Sequence, residues 1–351
     1  MWQVENTTPF ASDRGWVRDR DGTETWLVAV KCTFDIRPDG STEVSEAQPP
    51  VLRASEYHGA PGQSSLKYES DLVLTKTTTD VLVVGHAYAP GGQPVTQMQV
   101  GFRVGSIQKV LQVAGNRVWQ SNGPSSPEPF LKMPLVYERA FGGIDQKSSH
   151  PDRDWDWRNP VGTGFSIARD HLTGTPLPNI EYANESVRSW KDRPRPAGFG
   201  AIEGHWQPRA VFAGTYDEAW MKNRQPLLPT DFDDRFWQSA PQDQQAPAFM
   251  RGGEQVVLYR LTAGRDKLHF LLPRVFLGFE TRYYDGTGEL HRNRKLHTVI
   301  LEPDYPRVSL VWHTALQCHV KMEKLERTIV SLKTHIGRSV TEDIETRDLV
   351  T

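Results

Sequence analysis

The chain has 351 residues, with 41 lysines and arginines against 43 aspartates and glutamates and a formal charge of −2. That balance excludes a general electrostatic attraction to nucleic acid or to anionic membrane. Two cysteines, Cys32 and Cys318, argue against a disulfide-stabilised secreted scaffold and for buried thiols in a reducing compartment.

Hydrophobic content of 37% and charged content of 24% fit a soluble globular protein. The 28 glycines and 25 prolines are a modest excess, as in a β-rich chain with many turns. The opening residues lack a basic segment followed by an apolar one, and no run approaches the ~18 apolar residues of a membrane span. The expectation is a soluble cytoplasmic protein.

Along the chain, residues 24–36 alternate cleanly. Trp26, Val28, Val30, Cys32, Phe34 and Ile36 share one face, and Lys31, Thr33 and Asp35 the other. Period-two alternation predicts a strand with one buried side. Pro38-Asp39-Gly40 predicts a turn into a short hairpin partner at 41–44. Residues 80–90 are apolar on nearly both faces, which predicts a central strand. Residues 98–104 alternate again, with Met98, Val100, Phe102 and Val104 inward. The segment 109–119 predicts a hairpin turning at Gly115-Asn116.

Short helices are expected at 167–172 and 216–224. The second has Asp217 and Glu218 where a helix N-terminus favours negative charge. Strands resume at 255–261, 267–273 and 274–284. A hairpin over 296–303 and 307–314 turns through Asp304-Tyr305-Pro306. The last periodic segment, 325–335, has helical spacing at Met322, Leu325, Ile329 and Leu332, but its β-branched residues favour a strand.

Between Asn159 and Gln245 neither period is sustained, and prolines and glycines interrupt every few residues. Six of the 11 tryptophans (Trp155, Trp157, Trp190, Trp206, Trp220 and Trp237) lie between 155 and 237. An irregular stretch of this length is functional or disordered, and its aromatic content argues against disorder. It is read as an ordered, surface-forming region. The division that follows is a β-rich part at 1–125, an irregular aromatic part at 126–250, and a β-rich part at 251–351 that completes the fold.

Familiar catalytic signatures are missing. There is no Gly-Lys pair for a P-loop, no HExxH and no GxSxG, and the GxG at Gly162 and Gly164 fails the dinucleotide fingerprint at Ile167. Asp231, Asp233 and Asp234, with Asp243 downstream, could bind Ca²⁺ or form an acid/base pair. Phe236 and Gln242 stand where an EF-hand needs Gly and Glu, and the plainer reading is that these carboxylates cap turns and pair with Arg224, Arg235 or Arg251. No histidine has zinc-site spacing. The tryptophans fit sugar stacking or protein-interface anchors.

The blocks SSLKYESDLVLTKTTTDVLVVGHAYAP, YERAFGGID, HPDRDWDWRNPVGTGF, LPNIE, PAGFGAI with WQPR, AGTYDEAW and LPTDFDDRFWQSAPQDQ span residues 64–245 in order. In these blocks the chain resembles a bacterial family, the domain of unknown function numbered 2169. The resemblance implies an adaptor or chaperone of the type VI secretion system that loads toxic effectors, often with a PAAR-like tip domain, onto the spike. It implies a cytoplasmic, non-enzymatic protein.

The expected fold is mainly β, with antiparallel sandwich-like layers, a long irregular insertion and a few short helices. The expected partner is an effector with a PAAR-like domain, with the spike protein second, and with no cofactor, metal, nucleic acid or membrane insertion. Candidate contact residues are Trp206, Arg209, Tyr216, Trp220, Phe232, Arg235 and Trp237. The rival expectation is a carbohydrate-active enzyme or sugar-binding sandwich using the Asp231–Asp234 carboxylates and the central tryptophans.

Overall fold

The computed structural model describes residues 2–333. Three sheets carry the architecture. The largest has the strand order Ala11–Arg18, Glu24–Ile36, Arg307–Gln317, Lys295–Glu302 and Asp80–Val83, with Thr42–Val44 paired to the far end of Glu24–Ile36. Its neighbours are antiparallel except the last pair, which is parallel. A second, antiparallel sheet runs Ile180–Glu181, Ile107–Ala114, Gln97–Val104, Gln255–Thr262 and Arg265–Leu271. The third runs Gln3–Asn6, Leu325–Leu332, Leu277–Tyr283 and Gly288–Leu290. Each sheet draws strands from both halves of the chain.

One apolar core joins the three sheets. It contains Trp26, Val28 and Leu310 from the first, Phe102, Leu111 and Phe270 from the second, and Leu277, Phe279 and Val330 from the third. Sheets facing across a shared core are the sandwich-like layering that the alternating strands predict. Among the described residues helix is confined to one α-helical turn and a half, Glu218–Asn223, and short 3₁₀ segments.

The Glu24–Ile36 strand departs from its expected one-sided burial. Nearly every position is buried, because the chain from 45 to 75 lies over the polar face. Lys31 is used there rather than solvated, pairing with the equally buried Asp71 at 3.1 Å. Thr33 meets Ser309 at 2.9 Å, and the Gln48 amide donates to the Thr33 carbonyl. A polar alternation therefore marks a second buried face closed by reciprocal partners.

The hairpin expected at Gly115-Asn116 forms elsewhere. Ile107–Ala114 pairs back on Gln97–Val104 through the turn before Ile107, where Gly105 has φ +56°. Gly115 marks the exit from the sheet: its N–H donates to Thr96, and a Cβ there would sit 1.7 Å from the Glu128 carbonyl oxygen. The segment at 80–90 also divides, with Asp80–Val83 in the large sheet and His86–Tyr88 pairing Lys132–Pro134.

The segment expected at 167–172 shortens to a 3₁₀ turn at Arg169–His171. The hairpin Lys295–Glu302 with Arg307–Gln317 forms as expected. Leu325–Leu332 is a strand, and residues 334 and 335 lie outside the described ones. Cys32 and Cys318 are buried free thiols.

A polar network stitches the third sheet to the first. The Trp26 indole donates to Thr328 at 2.8 Å, Thr328 meets Thr281 at 2.7 Å, and His291 lies between Thr281 (2.7 Å) and Thr314 (3.1 Å). Nearby in the large sheet, His297 and His313 stack with ring centroids 4.4 Å apart. Burial holds all three imidazoles neutral: it pushes His291 down to about 4, His313 down to about 3, and His297 well below the ordinary value.

Candidate partner-binding surface

The central region is ordered by its own sequence blocks. Phe141–Gly142 runs parallel to Thr163–Gly164, and Asn159 locks the two. Its amide donates to the carbonyls of Tyr137 (2.8 Å) and Phe141 (3.0 Å), and its carbonyl accepts from Gly143. The approach is so close that a Cβ on Gly162 would lie 2.4 Å from the Asn159 amide nitrogen and 2.8 Å from the Ala140 carbonyl oxygen. The glycines of the failed dinucleotide motif thus permit backbone contact and cradle no phosphate.

The block 228–245 fastens this region to the sheets. Gln238 donates to Asp80 at 2.8 Å, and the Ser239 N–H donates to the same carboxylate at 2.8 Å. Asp80 is also paired with buried Lys76. The Gln244 amide donates to Val81 (2.7 Å) and Phe199 (2.9 Å). These bonds cover the outer side of Asp80–Val83, an edge strand that would otherwise offer free N–H and C=O groups.

The seven candidate contact residues divide by exposure. Trp206 is 1% exposed and packs edge-on against Tyr137 at 5.8 Å. Arg209, 5% exposed, is a clasp: it pairs with Glu69 at 2.6 Å and donates to the carbonyls of Phe236 (2.7 Å) and Ile202 (2.8 Å). Phe232, also buried, packs against Phe236 and Trp237. These three present almost no surface, so the contact role expected of them is corrected to an internal one. Large side chains are how an irregular segment buries itself without a regular lattice of backbone bonds.

Tyr216, Trp220, Arg235 and Trp237 reach the surface. Tyr216 is half exposed and packs edge-on to Trp220 at 4.8 Å, and Met221 beside them is exposed. Their helix forms because Asp217 accepts from the Trp220 N–H at 2.8 Å as its N-cap. Trp220 also donates its indole N–H to Leu227, which fixes the ring in place. Arg235 lies over the Phe212 ring at 4.3 Å. Trp237 lines a cleft of about 410 Å³ with Val17, Leu72, Pro226 and Leu227. Elsewhere in the region Trp155 and Trp157 stack at 4.3 Å, with Trp157 largely exposed.

The carboxylates serve local geometry. Asp231 accepts from the Thr215 N–H (3.0 Å) and hydroxyl (2.7 Å), which hold its carboxyl low. Asp233 caps the 3₁₀ turn Asp234–Trp237 and takes a two-pronged bond from Arg235 (3.0 and 2.6 Å), which lowers it too. Burial raises Asp234. Among the described residues no group of three or more His, Cys, Asp or Glu is placed to hold a metal.

Asp243 stands apart, at a cleft of about 550 Å³ whose walls include Tyr137, Arg158, Tyr182, Arg195 and Pro196. Lys109 reaches Asp243 from beneath at 2.9 Å, and Tyr182 donates to it at 3.1 Å. Burial pushes Lys109 down to about 8 even with Asp243 opposing the shift. Arg158 and Arg195 are already paired, with Asp156 and Glu185, and no tryptophan is among the lining residues. Sequence reading passed over this cleft because its parts come from separate blocks.

Fold and surface together define a β-rich scaffold carrying a rigid, irregular, aromatic-bearing insertion. Residues 21–313 match the model of DUF2169, described as an uncharacterized protein conserved in bacteria, and the chain belongs to that family. No curated protein and no solved structure matches it. Among the described residues no helix is long and apolar enough to cross a membrane.

Proposed function

We propose that this chain is a non-enzymatic adaptor of the type VI secretion system. It binds an effector through a PAAR-like tip domain in the cytoplasm of the producing cell and helps load it onto the spike. The observation that carries the reading is the exposed Tyr216–Trp220–Met221 surface, held rigid by the Asp217 cap and the Trp220 indole bond. Immobilised aromatic side chains lose little entropy on binding, which suits them as interface anchors. The local use of Asp231 and Asp233 supports a binding role over catalysis. Binding the effector's folded tip domain would stabilise it by mass action until assembly.

The test is co-purification with the PAAR-like protein encoded beside this chain, followed by deletion. The expected result is capture of that protein by the intact chain, lost with Tyr216→Ala/Trp220→Ala. Deletion should lower effector abundance and secretion. Unchanged abundance and secretion after deletion would refute the adaptor role.

A further inference from the structure

The third sheet ends in an edge, Gly288–Leu290, that has no strand partner among the described residues. His291 donates its N–H to Phe279 and Tyr283 donates to Thr287, and Thr281 faces Glu289 in the same ladder. In an antiparallel ladder, alternate residues point their N–H and C=O outward. Gly288 and Leu290 are therefore the outward pair, and among the described residues no backbone bond is made to either from outside the sheet. Leu290 is 62% exposed.

A second free edge lies across from it. Lys295–Glu302 pairs with Arg307–Gln317 only as far as His313, while the opposite side of that strand stays paired down to Gln317. Because Cys318 donates to Glu24, the same alternation turns the backbone groups of Ala315 and Gln317 towards the uncovered side. Ala315 is exposed there. Gly288, Glu289, Leu290, His291, Arg292 and Ala315 are among the residues lining a groove of about 610 Å³ between the two edges, and the Glu289 carboxylate accepts from the Tyr283 hydroxyl at 3.2 Å. Arg292 in this lining and Arg294, two residues on in the chain, are exposed, and neither makes a hydrogen bond or ion pair among the described residues.

We infer that this groove is a strand-addition site for an extended acidic segment of a partner protein. The segment pairs with the outward groups of Gly288 and Leu290, lies against Ala315, and places carboxylates on Arg292 and Arg294. Main-chain bonds at a sheet edge supply affinity, and side-chain pockets and charges supply selection. The free guanidiniums favour an acidic segment over a neutral or basic one. The site is separate from the Tyr216–Trp220 surface and stands or falls independently of the secretion reading.

The probe is a synthetic nine-residue peptide alternating valine with glutamate, labelled at one end and titrated with the full chain by fluorescence anisotropy. A peptide with proline at alternate positions, which lacks the needed N–H groups, and one with lysine for glutamate are the comparisons. Saturable binding of the acidic peptide alone is expected. Arg292→Glu/Arg294→Glu should weaken it about tenfold, as the loss of two exposed ion pairs implies.

Leu290→Pro should abolish binding. The Leu290 N–H points out of the sheet, so proline there costs no internal bond, and an unchanged circular dichroism melt verifies the fold. The charge-reversed variant keeps the test informative if Leu290→Pro misfolds. No binding of the acidic peptide at millimolar concentration, or equal binding of the proline peptide, would overturn the inference.

Discussion

Arg209→Met separates a structural arginine from a surface one. The substitution keeps most of the side-chain volume and removes the guanidinium. Glu69, buried beside it, then keeps only its bonds from Ser55 and Ser70, and the carbonyls of Phe236 and Ile202 lose their donors. Breaking one side of a buried ion pair costs about 3–5 kcal/mol, because the remaining charge is left desolvated and unpaired.

Unfolding entropy of ~2.1 cal/mol/K per residue gives roughly 0.7 kcal/mol/K for a chain of this size. The melting temperature should therefore fall by roughly 4–7 °C. Urea unfolding followed by tryptophan fluorescence measures the same loss at constant temperature. Arg235→Met is the control: its Asp233 partnership is exposed, and surface pairs contribute about 0–1 kcal/mol. Adding Glu69→Gln to Arg209→Met should restore part of the stability, since it removes the stranded charge. If Arg209→Met costs less than about 1 kcal/mol, or no more than Arg235→Met, the clasp reasoning is wrong.

Acid should weaken the fold through three imidazoles. His291, His297 and His313 have depressed folded-state values, so the unfolded chain takes up protons near pH 6.5 while the folded chain does not. Their stability is complete above pH 6.5 and is lost as pH falls towards 4, at up to about 4 kcal/mol per pH unit for three protons. Urea midpoints between pH 7 and 5 test this, and a flat profile contradicts it. Gly162→Ala should fail to accumulate as folded protein, because its Cβ meets Asn159 and Ala140 well inside contact distance. Normal expression with an unchanged melt would show that the Asn159 lock can relax. Tyr216→Ala/Trp220→Ala should lose about 1–2 kcal/mol at most, being surface changes without a cavity. A larger loss on thermal melting would mean those rings hold the fold.

Strand positions were legible in the sequence wherever one face alternates apolar with polar, as in 24–36 and 98–104, because the pleat repeats every two residues. The cap at Asp217 and the turn before Ser41 were legible for the same reason: each is set by a few neighbouring residues. Trp206, Arg209 and Phe232 share their composition with Trp220, Arg235 and Trp237, yet the first three are interior and the others reach the surface. That distinction rests on contacts made across more than a hundred residues, such as Arg209 with Glu69. Likewise Lys31 and Lys109 meet their partners, Asp71 and Asp243, only in the packed chain. Local bonding fixes which residues form strands and turns. Only the packed chain decides which polar side chains are buried, because burying a charge depends on a partner the local sequence does not contain.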